Sequence, residues 1–560
     1  MKTNNTINYR EIDNVFLYEE NPFPLLKRDN ILPLNGKWKV KISKDISLNN
    51  INDDILIPFP IESKASMIEK RLNKNEFIIY KKEFKITDDF INDLTFIHFL
   101  GVDQKYKIIL NDLEYDWVTP LNLPTKIDVS KSIKNDNVLY VIVMDNLDYV
   151  YPLGKQAKKP KGLFYTPFSG IYFPVFIESV NYGYIENIKL KTDLKGVNID
   201  IISSSLNFDI EIKDMDTTIY QNKHNTLSFR IDIDNPKLWD INNPFLYKLI
   251  IKTDNDSIES YFGLRQIEMV DGFVYLNNKK IFINGVLDQG YYPEGISTPI
   301  SYDDYEFDIL AMKNLGFNTL RKHIKVEMPY FYYLCDKHGM LVLQDFVNNG
   351  KYSFFSLTAL PTIGFKNRND KKMNKNITQR SNFIAAGDGL IKSLENHPCI
   401  LGYTIFNEGW GQFSSDQVYT LFKDNYNDIL FDSTSGWFIK NKSDFNSLHL
   451  YFKNIDKLNK LDKVFISEFG ALCYKDIDHA YSNKRVFGYK YFNSLFDVMN
   501  EFENLYINKI LPYKDKLVGA IYTQLSDIEE EDNGILTYDR KKYKLDVDKV
   551  KQIMKKINEK

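Results

Sequence analysis

The first third of the chain reads as short strands. In GKWKVKIS the apolar positions Trp38, Val40 and Ile42 alternate with lysines, and TFIHFLGV, KYKIIL and NVLYVIVM follow between turns rich in Asn and Asp. A period of two over such runs marks a strand with one buried face, and no long helical period interrupts it. Residues 1–180 are therefore expected to form an antiparallel β-sandwich of jelly-roll type. Over residues 181–269 the same grammar returns on a smaller scale in NIDIISS, DIEIKD, TLSFRIDI and LYKLIIKT, which fits an immunoglobulin-like sandwich.

After residue 270 the pattern changes. Short apolar runs now alternate with helical stretches such as DDYEFDILAMKNLG and VYTLFKDNYNDIL. Eight strands are expected: IFINGV, FNTLRKH, LVLQDF, ILGYTIFNE, ILFDSTSGW, SLHLYF, KVFISEFG and LVGAIYTQLSD. Eight strands interleaved with helices over residues 270–560 predict a (β/α)8 barrel. The alternative is an open doubly wound sheet, but no glycine-rich dinucleotide turn follows the first strand. Barrel strands are buried and open at their C-terminal ends into the site-bearing face. Glu408 closes the fourth apolar run and Glu468 the seventh, so the ring would set the two carboxylates facing each other.

Composition narrows the classes. Of 560 residues, 43% are hydrophobic and 26% charged, as in ordinary globular proteins, and the net charge of -3 gives no support for nucleic acid or a membrane surface as a partner. An aromatic content of 14% is high and is read as larger cores, with some rings as platforms for ligand faces. The basic run KQAKKPKG at 155–162 is expected to be a solvated loop, as is the acidic cluster Glu529 to Asp532. Cys335, Cys399 and Cys473 are odd in number and widely spaced, and form neither a disulfide framework nor a zinc pattern. No cofactor is expected. A polar N-terminus and the lack of a long apolar window make the cytoplasm the expected compartment.

Two carboxylates placed close together push their pKa values apart, so one holds a proton while the other stays ionised. Cleavage of a glycosidic bond requires that division. At about 5 Å one acid attacks the anomeric carbon and the other protonates the leaving oxygen; at roughly 6.5 to 9.5 Å a water fits between them and the reaction inverts. Spacing in sequence leaves that choice open. Either glutamate alone reads more readily as a salt-bridge partner or a helix N-cap neighbour; both together, with Asn407 beside the first, favour the chemical role.

The chain resembles glycoside hydrolase family 2, the family of β-galactosidases, β-glucuronidases and β-mannosidases. LPLNGKWKVKIS, YKKEFKI and FYTPFSGIYFPVFIESV resemble its N-terminal, galactose-binding-like sandwich; NPKLWDINNPFLYKL and FGLRQIEM resemble its central immunoglobulin-like domain. FNEGW resembles the acid/base segment and ISEFGA the nucleophile segment. The resemblance implies that Glu408 is the general acid/base and Glu468 the nucleophile of a retaining mechanism, with Asn407 donating to the sugar 2-hydroxyl. Tyr451 would place its hydroxyl against Glu468, and Arg321 would brace it. His323 would reach a sugar hydroxyl, although the family more commonly spaces this Arg and His by three positions. Asp345 would bond sugar hydroxyls or orient Arg321. Trp410 would offer a ring face, His449 would contact sugar or fill the barrel, and Gln524 would face the mouth where many members carry a tryptophan.

The expected partner is a carbohydrate β-glycoside, with a homo-oligomer open. Glucuronidases of the family carry Asn-x-Lys just before the segment matching GILTYDRK; here the position is acidic, which disfavours a glucuronide. A neutral sugar is left, galactose first and mannose behind it, released in exo fashion. A non-catalytic carbohydrate-binding protein on the same scaffold is the rival from another class, and a transglycosylase shares every residue with the hydrolase.

Overall fold

The computed structural model describes residues 18, 21–362, 365, 369–451, 462–482, 488 and 490–559. The N-terminal region packs a four-stranded sheet (Ile31–Pro33, Val175–Val180, Leu94–Phe99, Thr125–Asp128) on a six-stranded one. The latter runs Asp53–Ile57, Gly36–Ser43, Phe77–Lys85, Asp136–Met144, Lys105–Leu110 and Leu113–Glu114, antiparallel throughout. Trp38, Val40, Tyr80, Ile108 and Val141, the inward members of the alternating runs, form its core. A second sandwich follows, three strands (Ile185–Thr192, Gly196–Ser203, Ser228–Asp232) on four (Thr217–His224, Phe208–Asp214, Tyr247–Lys252, Ser257–Phe262). It is tied to the first by Arg28, which donates to Glu178 at 2.8 Å and to Asp256 at 2.9 Å.

The remainder is a parallel barrel. Its strands are β1 (Ile283–Asp288), β2 (Thr319–Lys322), β3 (Leu341–Asp345), β4 (Ile400–Asn407), β5 (Phe431–Ser435), β6 (Asn446–Leu450), β7 (Val464–Gly470) and β8 (Leu517–Thr523). They are hydrogen-bonded in the order β5-β4-β3-β2-β1-β8-β7-β6. Between β5 and β6 no ladder forms among the described residues; side chains close the ring there, with Ser435 Oγ 3.4 Å from Ser447 Oγ. Helices return the chain, and their ends carry the expected signals. Tyr302–Leu315 starts where Asp304 accepts from the Ser301 amide at 3.3 Å and stops at Gly316, whose φ of 101° a side chain would resist. The central sandwich is docked on the barrel through Trp239, whose Nε1 donates to the Asp336 carbonyl at 2.8 Å.

Candidate active site

β4 is buried from end to end, and its apolar residues stop at Asn407. The chain then turns sharply. Glu408 has φ 52°, a left-handed conformation that costs a non-glycine residue about 1–3 kcal/mol, and its amide is held by the Ser435 carbonyl at 2.8 Å. Gly409 and Gly411, at φ 72° and 71°, leave no room for a Cβ: one would meet the Phe438 ring at 2.1 Å and the Asn349 carbonyl at 2.4 Å. The glycines around Trp410 thus let the turn close with Glu408 aimed into the barrel mouth.

Glu468, on β7, sits opposite. Carboxylate oxygens of Glu408 and Glu468 and a ring nitrogen of His449 lie within 4.8 Å of one another. The acids have different surroundings. Glu468 is 7% exposed; it accepts from Tyr451 Oη at 2.6 Å and from Arg321 Nη1 at 3.2 Å. Burial pushes its carboxyl up, but His449, Arg321 and the Tyr451 bond outweigh this and hold it well below the usual range. Glu408, at 22%, meets the pocket more openly, with His449 Nδ1 at 2.9 Å.

Arg321 organises the floor. Its Nε and Nη2 take both oxygens of Asp345 at 3.0 Å, and Nη2 also donates to Asn407 Oδ1 at 2.9 Å. Asn407 therefore keeps its Nδ2 for the pocket. Asp345 is engaged by Arg321 and by His323 Nδ1 at 2.7 Å and has no face on the pocket. Burial, with the Lys155 charge nearby, lowers His323 to about 4 despite Asp345. It is neutral at pH 7, its Nδ1 donates to Asp345, and Nε2 is left as an acceptor. His449 lies behind the acids; Nε2 is 3.0 Å from Ser435 Oγ and 3.4 Å from Glu468. One layer down, burial raises Asp432 to about 6 against the lowering effect of Arg321 and Ser447.

The pocket is partly open to solvent, and Leu163, Leu287, Ile324, Tyr352 and Trp410 give it apolar walls. Trp410 is fixed by Nε1 on the Gly350 carbonyl at 2.9 Å and packs against Phe164 and Tyr352. Gln524 does not reach the pocket: it is fully buried, accepts from Gln289 at 3.0 Å and donates to Asn533 at 2.8 Å. Gln289 and Glu531 take the wall instead.

Two segments read as solvated are docked on each other. Glu529 accepts from the Thr166 amide at 2.7 Å, Glu530 from the Gly162 amide at 2.9 Å, and Glu531 from the Tyr165 hydroxyl. On the other side the amides of Leu153 and Gly154 bond the Asn348 carbonyl at 2.8 and 3.2 Å. The N-terminal sandwich thereby holds a loop across the barrel mouth, and Lys155 and Leu163 line the pocket. A run of lysines with Pro and Gly carries no local mark of this, because its partners lie over 350 residues away.

Facing glutamates at the ends of the fourth and seventh strands of a parallel barrel, behind two sandwiches, define the class of barrel-fold glycoside hydrolases. Comparison with known proteins narrows it. The family description "Glycosyl hydrolases family 2, TIM barrel domain" matches residues 267–558, and "Glycosyl hydrolases family 2" matches residues 180–265. This chain belongs to glycoside hydrolase family 2. It is similar to a β-galactosidase of Thermoanaerobacterium thermosulfurigenes, 25% identical over 355 residues that cover 56% of this chain and 48% of that one. A putative β-glucuronidase of Formosa agariphila is 26% identical over 355 residues, 59% of this chain and 39% of that one. The chain thus spans about half or less of the length of these curated relatives. A solved β-glucuronidase from an uncultured Clostridium sp. shares the fold at TM-score 0.77 and 17% identity, covering 95% of this chain and 99% of that one. No described helix is long and apolar enough to cross a membrane.

Proposed function

We propose that the protein is a retaining, exo-acting β-glycoside hydrolase. The observation that carries this reading is the approach of the Glu408 and Glu468 carboxylates to within 4.8 Å, with Glu468 held by Arg321 and Tyr451 and Glu408 the more open to the pocket. That separation supports direct attack by one carboxylate over the wider spacing of an inverting reaction. Glu468, kept ionised by Arg321, Tyr451 and His449, attacks the anomeric carbon while Glu408 protonates the leaving oxygen. Glu408 then takes a proton from water, which attacks the glycosyl-enzyme and frees Glu468. Asn407 Nδ2 donates to the sugar 2-hydroxyl, a bond that strengthens as oxocarbenium character develops. Lys155 and Leu163 of the loop across the mouth wall one side of the pocket, which supports release of terminal sugars.

A neutral hexose, galactose first, is the preferred sugar. Several similar curated proteins are β-galactosidases, which supports this preference. Uronides are the second reading, which the names of the solved neighbours favour. A panel of nitrophenyl β-galactoside, glucoside, mannoside, fucoside and glucuronide tests both. E468G is expected to abolish turnover, with azide restoring nitrophenol release as the α-glycosyl azide forms; full activity in that variant refutes the assignment of the nucleophile.

A further inference from the structure

The double displacement leaves two charged groups on the pocket wall without a task, Lys155 and Glu531. They reach it from distant parts of the chain. Lys155 follows Gly154, which has φ 61° and sits so close to the Ile324 carbonyl that a Cβ would approach it to 2.9 Å. Glu531 comes from the loop after β8 and is 6% exposed. Tyr165 neighbours both: its hydroxyl donates to Glu531, and the Lys155 ammonium lies 5.7 Å from the centre of its ring. Among the described residues neither an ion pair nor a side-chain hydrogen bond consumes the ammonium. Arg321, in contrast, is spent on Asp345, Glu468 and Asn407.

The chemistry of the two groups is complementary. An ammonium has donors only and an ionised carboxylate acceptors only, whereas each sugar hydroxyl offers both. Two neighbouring hydroxyls can satisfy one group each. The pair adds no net charge to a pocket that already holds Glu468, so it suits a polar, uncharged ring. Burial leaves the Glu531 carboxyl raised although the Lys155 charge lowers it, so the acceptor at Glu531 depends on that cation.

We propose that Lys155 and Glu531 form a hydroxyl clamp for a neutral hexose, shared between the N-terminal sandwich and the barrel. The proposal rests on the glycosidase reading of the same pocket. It assigns the sandwich half of the sugar specificity and predicts that the two residues act as a unit. The test uses the full chain, as wild type, K155M, E531Q and the double variant, on the nitrophenyl β-hexoside that wild type prefers and on its monodeoxy analogues. A hydrogen bond to a charged group is worth about 10- to 100-fold. Each single variant is expected to lose that much in kcat/KM, chiefly through KM. The double variant should fall no more than about threefold below the worse single one. On one deoxy sugar the gap between wild type and K155M should close. Melting temperatures report the fold; should K155M fail to fold, K155Q carries the same expectation. A folded K155M within about threefold of wild type on the parent sugar overturns the clamp and leaves the hydrolase reading intact. A wild type inactive on every glycoside of the panel overturns the hydrolase reading, and the clamp with it.

Discussion

Replacing Tyr451 by Phe tests the division of labour around Glu468. The Tyr451 hydroxyl donates to Glu468 Oε2 at 2.6 Å, and the ring sits beside His449, so Phe keeps the packing and removes one donor. A hydrogen bond to an ionised carboxylate contributes about 1.5–3 kcal/mol, or about 10- to 150-fold in rate where the charge is fully developed. In glycosylation Glu468 loses charge as it attacks, so the missing bond weakens the ground state as well as the transition state. In deglycosylation Glu468 leaves as a carboxylate, and the bond is needed as the charge returns. The second step should therefore suffer more. For Y451F on a dinitrophenyl β-glycoside, kcat should fall about 10- to 100-fold and KM should fall with it. Stopped-flow traces should show a burst of phenolate equal to the enzyme concentration as the glycosyl-enzyme accumulates. A kcat within threefold of wild type with no burst would refute the reasoning, because it would mean that Tyr451 does not bear on the charge of Glu468.

E408A should glycosylate from dinitrophenyl substrates at near wild-type rates yet lose at least about 100-fold on alkyl glycosides, since only poor leaving groups need the acid; a flat dependence on leaving-group pKa argues against that role. Asp432, raised to about 6 by burial, weakens the fold as pH rises. The unfolded chain loses this proton near pH 3.9, so the stability is complete below that pH and about 3 kcal/mol is lost by pH 6 and above. D432N should accordingly melt higher than wild type at pH 7.5, with the gap closing by pH 4. Glu178 has the opposite sign: burial raises it, but His98 and Arg28 hold it at about 2. Its stabilisation of about 3 kcal/mol is full above pH 4.3 and fades as the pH falls towards 2, so thermal melts of E178Q should lie below wild type at pH 7 and approach it at pH 3.

Much of this protein is written locally. Strands buried on both faces must be continuously apolar, so the eight barrel runs stand out, and a carboxylate at the end of such a run is visible without coordinates. Glu408 and Glu468 were legible for that reason, and so were Asn407 beside the first and Arg321 at the end of β2. Side-chain partnership is not local. Tertiary structure alone decided that Asp345 turns wholly to Arg321 and His323, that Gln524 is absorbed between Gln289 and Asn533, and that His449 stands behind both acids. It also decided the fate of two charged segments. Lysines with Pro and Gly at 155–162, and three successive glutamates at 529–531, each look like solvated loops because charge near a turn is inexpensive in water. Brought together across the barrel mouth, the glutamates cap the backbone amides and tyrosine of the other segment, and Lys155 is carried into the pocket. Periodicity reports which face of a segment is buried; it carries no record of which distant segment buries it.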